Sequence, residues 1–192
     1  MRLEDASRKL LVPETNLFYN AEVAAHRYPR KPFLIFYDTP ITFARFMDEA
    51  QRLAGFLEQR CGVRRGDRVL LLMQNSPQFV IAYYGVLRAN AIVVPINPMN
   101  VTAEVLRHVK DAGASIAIVA QELYSHVEPI LDSRELKHAI IAGYSRLPGS
   151  AHHVGDARLC LRTADGGIEA RCHLVERCAC AWAIARTSDT WG

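Results

Sequence analysis

The 192-residue chain is predicted to be an α/β protein built on an open, doubly wound, mostly parallel sheet with helices on both faces. Three observations predict this. Four strand-like segments, each carrying an apolar run, start at residues 68, 91, 115 and 138, an almost constant pitch. The runs are continuous rather than alternating, as strands covered on both faces are. Between consecutive runs lie helix-start residues followed by apolar positions three and four apart. Each run plus its helix reads as one βα unit, and right-handed crossovers then wind the sheet in both directions.

The elements follow in order. Asn16 caps a helix that Pro29 stops near Tyr28. Residues 33–37, Phe-Leu-Ile-Phe-Tyr, are strand-forming types, and Asp38-Thr39-Pro40 reads as a turn. Thr42 caps a helix that places Phe43, Phe46, Met47, Ala50, Leu53, Ala54 and Leu57 on one face. Gly62 ends it, and a loop through Arg64, Arg65 and Asp67 leads to the strand 68–73. Ser76 before Pro77 pairs a capping hydroxyl with proline at the first helical position. The helix 77–90 is apolar nearly all round, so it is expected to be buried against more than one layer. Residues 91–96 read as a third buried strand. Thr102 caps a helix to Asp111 with Gly113 at its end. A strand at 115–120, a helix at 121–131 and a strand at 138–142 complete the series.

Composition bounds the function. Half the residues are apolar and 22% are charged, a globular balance. The net charge of +3 is too small to suggest nucleic acid or an acidic membrane as the main partner. Residues 1–14 lack the apolar core of a secretory signal, and no apolar stretch is long enough to span a bilayer. Five cysteines, four of them after residue 159, do not form the pattern of a secreted disulfide framework, and a reducing compartment fits better. A cytoplasmic location is therefore expected.

The pattern fails after about residue 142. Residues 143–192 hold six of the eleven glycines, four of the five cysteines, six arginines and no lysine. No five-residue strand with clear turns is expected there, and only 173–185 is a helix candidate. A GC-rich gene read out of frame yields this composition. The expected organisation is thus 1–142 as a partial domain and 143–192 as an irregular or disordered tail, frameshifted on this reading.

Three stretches carry a family resemblance. They are GVRRGDRVLLLMQNSPQFVIAYYGVLRANAIVVPINP at 62–98, TFARFMDEAQRLAGFLEQ at 42–59 and TAEVLRHVKDAGASIAIV at 102–119. Together, over about residues 16–142, they resemble the N-terminal part of the adenylate-forming acyl-CoA synthetases, among them the long-chain fatty-acid–CoA ligases. The resemblance implies a ligase that attaches AMP from ATP to a carboxylic acid, a fatty acid for instance, and passes the acyl group to the CoA thiol. A carboxylate resists nucleophilic attack because of its charge and resonance, and adenylation supplies a good leaving group. In the family this needs Mg²⁺, backbone N–H donors and cationic side chains around the transferring phosphoryl group. Carboxylic acid, ATP and CoA are accordingly the implied partners.

The family's phosphate loop, of the type Thr-Ser-Gly-Thr-Thr-Gly-x-Pro-Lys-Gly, has only an imperfect echo here. Thr187, Ser188, Thr190 and Gly192 match in kind, but Asp189 sets a negative charge where the first glycine belongs, and Trp191 replaces a small hydroxyl residue. The echo is read as coincidence. No catalytic residue and no bound cofactor are expected of this chain, which is expected to be inactive alone. The alternative is a free-standing α/β binding module that docks on a partner, and self-association through exposed apolar surface is a further expectation.

Other residues favour structural roles. Asn75-Ser76-Pro77 is a capped turn rather than a site. Pro95 and Pro98 set the exit of a strand. Arg64, Arg65 and Arg68 could meet a CoA phosphate but read better as a solvated loop. Cys172, His173, Cys178 and Cys180 lack the spacing of a zinc site. His152 and His153 are adjacent and diverge in extended chain, while His26, His108, His126 and His138 are scattered. No metal site and no nucleophilic triad are expected.

Overall fold

Capping side chains set the helix starts. Asn16 Oδ1 accepts the Phe18 N–H at 2.9 Å and opens α1 (Leu17–Arg27). Thr42 Oγ1 accepts the Arg45 N–H at 3.3 Å and opens α2 (Phe43–Gln59). Ser76 Oγ accepts the Phe79 N–H at 3.2 Å and opens α3 (Pro77–Arg88). These three caps stand where the sequence puts them. The computed structural model describes residues 15–143, 158–163 and 168–169.

Between α1 and α2 runs a hairpin of β1 (Pro32–Phe36) and β2 (Thr39–Thr42). Its turn is Tyr37-Asp38, with φ of 44° and 59°. Positive φ at both central residues matches the twist of paired strands. Thr39 and Pro40, expected in the turn, are instead strand residues, and β2 was not anticipated. Pro40 fits because this two-stranded sheet is all edge.

The main sheet contains β3 (Arg68–Leu72), β4 (Ile92–Pro95), β5 (Ile116–Ala120) and β6 (His138–Gly143), parallel and in the order β4-β3-β5-β6. Helix α4 (Thr102–Ala112) joins β4 to β5, and a 3₁₀ turn (Gln121–Leu123) with α5 (Tyr124–Asp132) joins β5 to β6. Thr102 is the first helical residue of α4 rather than its cap. The Glu104 carboxylate reaches back to the Val101 N–H at 3.1 Å, so the acid at the third position closes the helix start. Gly113 ends α4 with φ of 63°, the left-handed conformation that a side chain resists.

Side chains alternate across the sheet as period two requires. Val69, Leu71, Ile116, Ile118 and Ile140 face α2 and α3, meeting Leu53, Leu57, Ala82 and Val86. Leu70, Leu72, Ala117, Val119 and Ala139 face α4 and α5, meeting Val105, Val109, Val127 and Leu131. A third cluster of Phe18, Ile41, Phe46, Ala50 and Ile81 packs α1 and the hairpin on the outside of α2 and α3. Helix α3 therefore touches two layers, as its all-round apolar sequence predicts.

Two sheet margins differ from expectation. β4 is an edge strand, not a buried one, and Ile92 is 47% exposed. The Ile92 and Ile96 N–H groups donate to Asp67 and Leu71 of the β3 side, so the alternate residues Val93 and Pro95 present their backbone outward. Pro95 has no N–H to leave unpaired there. On the other margin, β7 (Arg158–Thr163) pairs antiparallel with β6 from Arg158↔Gly143 to Thr163↔His138, and β8 (Ile168–Glu169) pairs with β7. A six-residue strand past residue 142 was not expected. Its sequence, Arg-Leu-Cys-Leu-Arg-Thr, holds only three apolar residues in a row, too short a run to stand out from the surrounding composition.

Candidate functional site

The winding of the sheet fixes where a crevice belongs. The chain moves from β3 outward to β4, returns past β3 to β5, and continues to β6. The direction reverses between β3 and β5, and open α/β sheets bind ligands beyond the carboxyl ends of strands at such a reversal. The carboxyl rim here consists of the β3–α3 turn, the exit of β4 and the 3₁₀ turn after β5. Its exposed polar side chains are Gln74, Asn75, Asn97 and Glu122, with Asn100 and Gln121 half-buried. Met99 is the most exposed large apolar side chain of this rim, at 85%.

The helix that opens onto the reversal, α3, has few donors to offer an anion. Pro77 carries no N–H, the Phe79 N–H is taken by Ser76 Oγ, and the Val80 N–H by the Ser76 carbonyl at 3.2 Å. Only the Gln78 N–H remains of the first turn. Asn75-Ser76-Pro77 is thus a satisfied cap, and Ser76 itself is buried. Pro95, Ile96, Asn97 and Pro98 turn the chain out of β4, and Asn97 Oδ1 accepts the Met99 N–H at 3.0 Å. Both segments serve the backbone, as the sequence suggests.

The arginines lie at the opposite end of the sheet. Arg64 and Arg65 belong to the loop that enters β3, and Arg68 is the first residue of β3, all at the amino rim. Asp67 holds that loop, its Oδ2 accepting the Arg64 N–H at 2.8 Å. They are not brought to the crevice. Among the described residues no three His, Cys, Asp or Glu side chains come together as a metal set. Cys61 is buried. Thr187, Ser188, Thr190 and Gly192, with the tail cysteines and histidines, lie outside the described residues.

One polar residue at this end was not singled out from the sequence. Gln78 is 4% exposed, and its Oε1 has no hydrogen-bond partner among the described residues. It occupies the inward stripe of α3 with Ile81, Ala82 and Gly85. Its signal is a polar residue at an apolar position of the helical period.

Among the described residues no three His, Cys, Asp or Glu side chains form a set that would hold Mg²⁺, and the start of α3 offers an anion one free donor, the Gln78 N–H. The fold of these residues, a parallel sheet with helices on both faces, is the α/β fold of the N-terminal domains of adenylate-forming enzymes. The chain belongs to the AMP-binding enzyme family, whose sequence model matches residues 21–157. It is 32% identical over 120 residues to a long-chain-fatty-acid–CoA ligase of Salmonella typhimurium, covering 62% of this chain and 21% of that protein. It is 37% identical over 120 residues to the ligase of the same name from Bacillus subtilis, with the same coverage. The chain thus spans about a fifth of the length of these relatives.

Solved structures agree. The anthranilate CoA ligase AuaEII, in complex with anthranoyl-AMP, superposes with a TM-score of 0.62 at 28% identity, over 66% of this chain and 25% of that one. A long-chain-fatty-acid-CoA ligase from Archaeoglobus fulgidus gives 0.62 at 23% identity, over 82% and 31%, and there the likeness is one of fold.

Proposed function

We propose that this chain is scaffold from an acyl-CoA ligase, an enzyme that joins a carboxylic acid to AMP from ATP and then to CoA, with a fatty acid as the favoured acid. The observation that carries this reading is the family match over residues 21–157. The relatives named for long-chain fatty acids supply the substrate class. ATP, Mg²⁺ and CoA are the cofactors of that reaction. On this reading the chain alone does not catalyse it, since the family's phosphate loop, which would stabilise pyrophosphate loss, has only an imperfect echo at residues 187–192.

The same proposal places the chain in the cytoplasm; no helix among the described residues is long and apolar enough to cross a membrane. It includes self-association through exposed apolar side chains such as Ile35, Tyr37 and Met99, at 70%, 68% and 85% exposure.

ATP–pyrophosphate exchange tests the catalytic part. The purified 192-residue chain, given ATP, Mg²⁺ and a panel of fatty acids, is expected to show exchange no higher than a protein-free blank. Exchange that depends on added acid would overturn the inactivity while supporting the ligase class. Sedimentation over a range of concentrations tests association, and a constant monomer mass would refute it.

A further inference from the structure

The hairpin on the outside of α2 and α3 has two unequal margins. Its turn closes on the pair Phe36↔Thr39, and Ile35↔Pro40 comes next. Pro40 has no N–H to exchange, and in an antiparallel pair the residues next to a bonded pair point both backbone groups outward. The Ile35 N–H and carbonyl therefore face away from β2. Among the described residues this small sheet has no third strand to meet them. On the other margin, Pro40 presents a carbonyl and no donor. One margin can accept a strand and the other is closed.

β1 also lacks the devices that keep an edge apart. Its sequence, Pro-Phe-Leu-Ile-Phe, carries no charge, whereas exposed edges are ordinarily guarded by charge or proline. Its one proline, Pro32, lies at the first residue, beyond the shift of register at Phe33. Ile35, a β-branched aliphatic in the strand interior, is 70% exposed. Charges of opposite sign flank the strand instead: Lys31 before it and Asp38 in the turn after it, both exposed. Such a strand complements itself when turned end for end. A twofold axis at Ile35 sets it opposite the Ile35 of a second copy and carries each Lys31 toward the Asp38 of the other.

Given the self-association proposed above, we infer that two copies of this chain join β1 to β1 in antiparallel fashion, making one four-stranded sheet in the order β2-β1-β1-β2. Each Ile35 exchanges its N–H and carbonyl with the other, and the two side chains cover one another. Association stops at the pair, because the outer margins of the joined sheet are the two β2 strands, each closed at Pro40. A second copy suits this edge better than an unrelated strand, since the apolar centre and the opposite end charges match under the same rotation. One short strand from each copy buries far less than the standard interface of about 1,600 Å², so the dimer is weak and forms at high concentration.

Sedimentation equilibrium of the full chain tests this. A monomer–dimer equilibrium with no larger species is expected. Ile35→Lys sets two ammonium groups face to face, and Ile35→Pro removes the outward donor as Pro40 does on the other margin. Each is expected to weaken the dimer roughly tenfold or more. Neither breaks a hydrogen bond within the hairpin, and far-ultraviolet circular dichroism confirms that the variants fold. Asp38→Asn, which keeps a residue tolerant of the left-handed turn, is expected to weaken the dimer about threefold. Met99→Ser, on the carboxyl rim, leaves it unchanged. Dimers that survive both Ile35 variants, or that Met99→Ser abolishes, overturn the strand pairing while self-association stands. A constant monomer mass overturns both. Mass that climbs past the dimer overturns the closed pair.

Discussion

Gly85 of α3 meets Leu53 of α2 so closely that a Cβ at Gly85 would stand 2.8 Å from Leu53 Cδ2, 3.0 Å from Cγ and 3.1 Å from Cβ. The nearness of Leu53 Cβ matters most. A rotamer change moves Cδ2 aside, but Cβ is fixed to the backbone of α2, so the two helices themselves would have to part. Leu53 is also 1% exposed and helps to cover β3 and β5, which leaves it no free direction.

Gly85→Ala is therefore expected to destabilise the fold. Overpacking of a filled core costs typically 1–3 kcal/mol, offset by about 1 kcal/mol of improved helix propensity. A net loss of up to about 2 kcal/mol in urea unfolding is expected. Gly55→Ala, in the interior of α2 where an added Cβ meets nothing within 4 Å, is the control and should stabilise by roughly 0.5–1 kcal/mol. Equal effects at the two positions would show that the α2–α3 approach is not close.

The cap of α3 gives a second test. Ser76 Oγ takes the Phe79 N–H, and neither group reaches water freely because Ser76 is 7% exposed. Ser76→Ala should lower stability by about 1 kcal/mol. Asn75→Ala, one residue earlier and exposed, should change it by less than about 0.5 kcal/mol. If Asn75 proved the more sensitive, the Asn-Ser-Pro turn would have a role other than starting the helix.

Much of the fold was legible because it rests on local chemistry. Ser76-Pro77, Thr42 and Asn16 name their helix starts, and the unbroken runs Val69–Leu72 and Ile116–Ala120 name strands covered on both faces. The position of a strand within the sheet is not local, and β4 shows the consequence. Ile92, Val93 and Val94 have the same apolar character as a central strand, and only Pro95 marks an edge. β2 was missed because Pro40 was weighed as a turn former when two left-handed residues, Tyr37 and Asp38, already made the turn. The phosphate-loop echo at residues 187–192 falls outside the described residues. The arginines at 64, 65 and 68 were legible as a loop, but only the parallel topology shows that they sit at the end opposite the crevice.

Phe46 provides a third test, of how the outer layer is attached. It is fully buried, with its ring centroid 4.4 Å from that of Phe33 in β1 and 5.2 Å from that of Tyr84 in α3. One side chain thus joins the hairpin, α2 and α3. Phe46→Ala should cost about 3–5 kcal/mol. A double-mutant cycle with Phe33→Ala should return a coupling of about 0.5–1.5 kcal/mol, read from chemical denaturation. No coupling would mean that the hairpin is held by other contacts, such as Ile41.

Pro95 offers the last prediction, and it concerns association rather than stability. Along the outer margin of β4 the backbone of Val93 and residue 95 faces away from β3. At 95 the proline ring removes the donor that a second chain would use. Pro95→Val restores that N–H and adds a β-branched side chain suited to a strand, so the edge becomes a longer template for pairing. The substitution breaks no hydrogen bond within the sheet, since proline had none to give. The unfolding midpoint should stay within about 0.5 kcal/mol of the parent, while light scattering at equal concentration rises and aggregation on standing begins earlier. A variant with unchanged scattering would show that some other feature, the shortness of β4 or the exposed position of Ile92, keeps this edge from pairing.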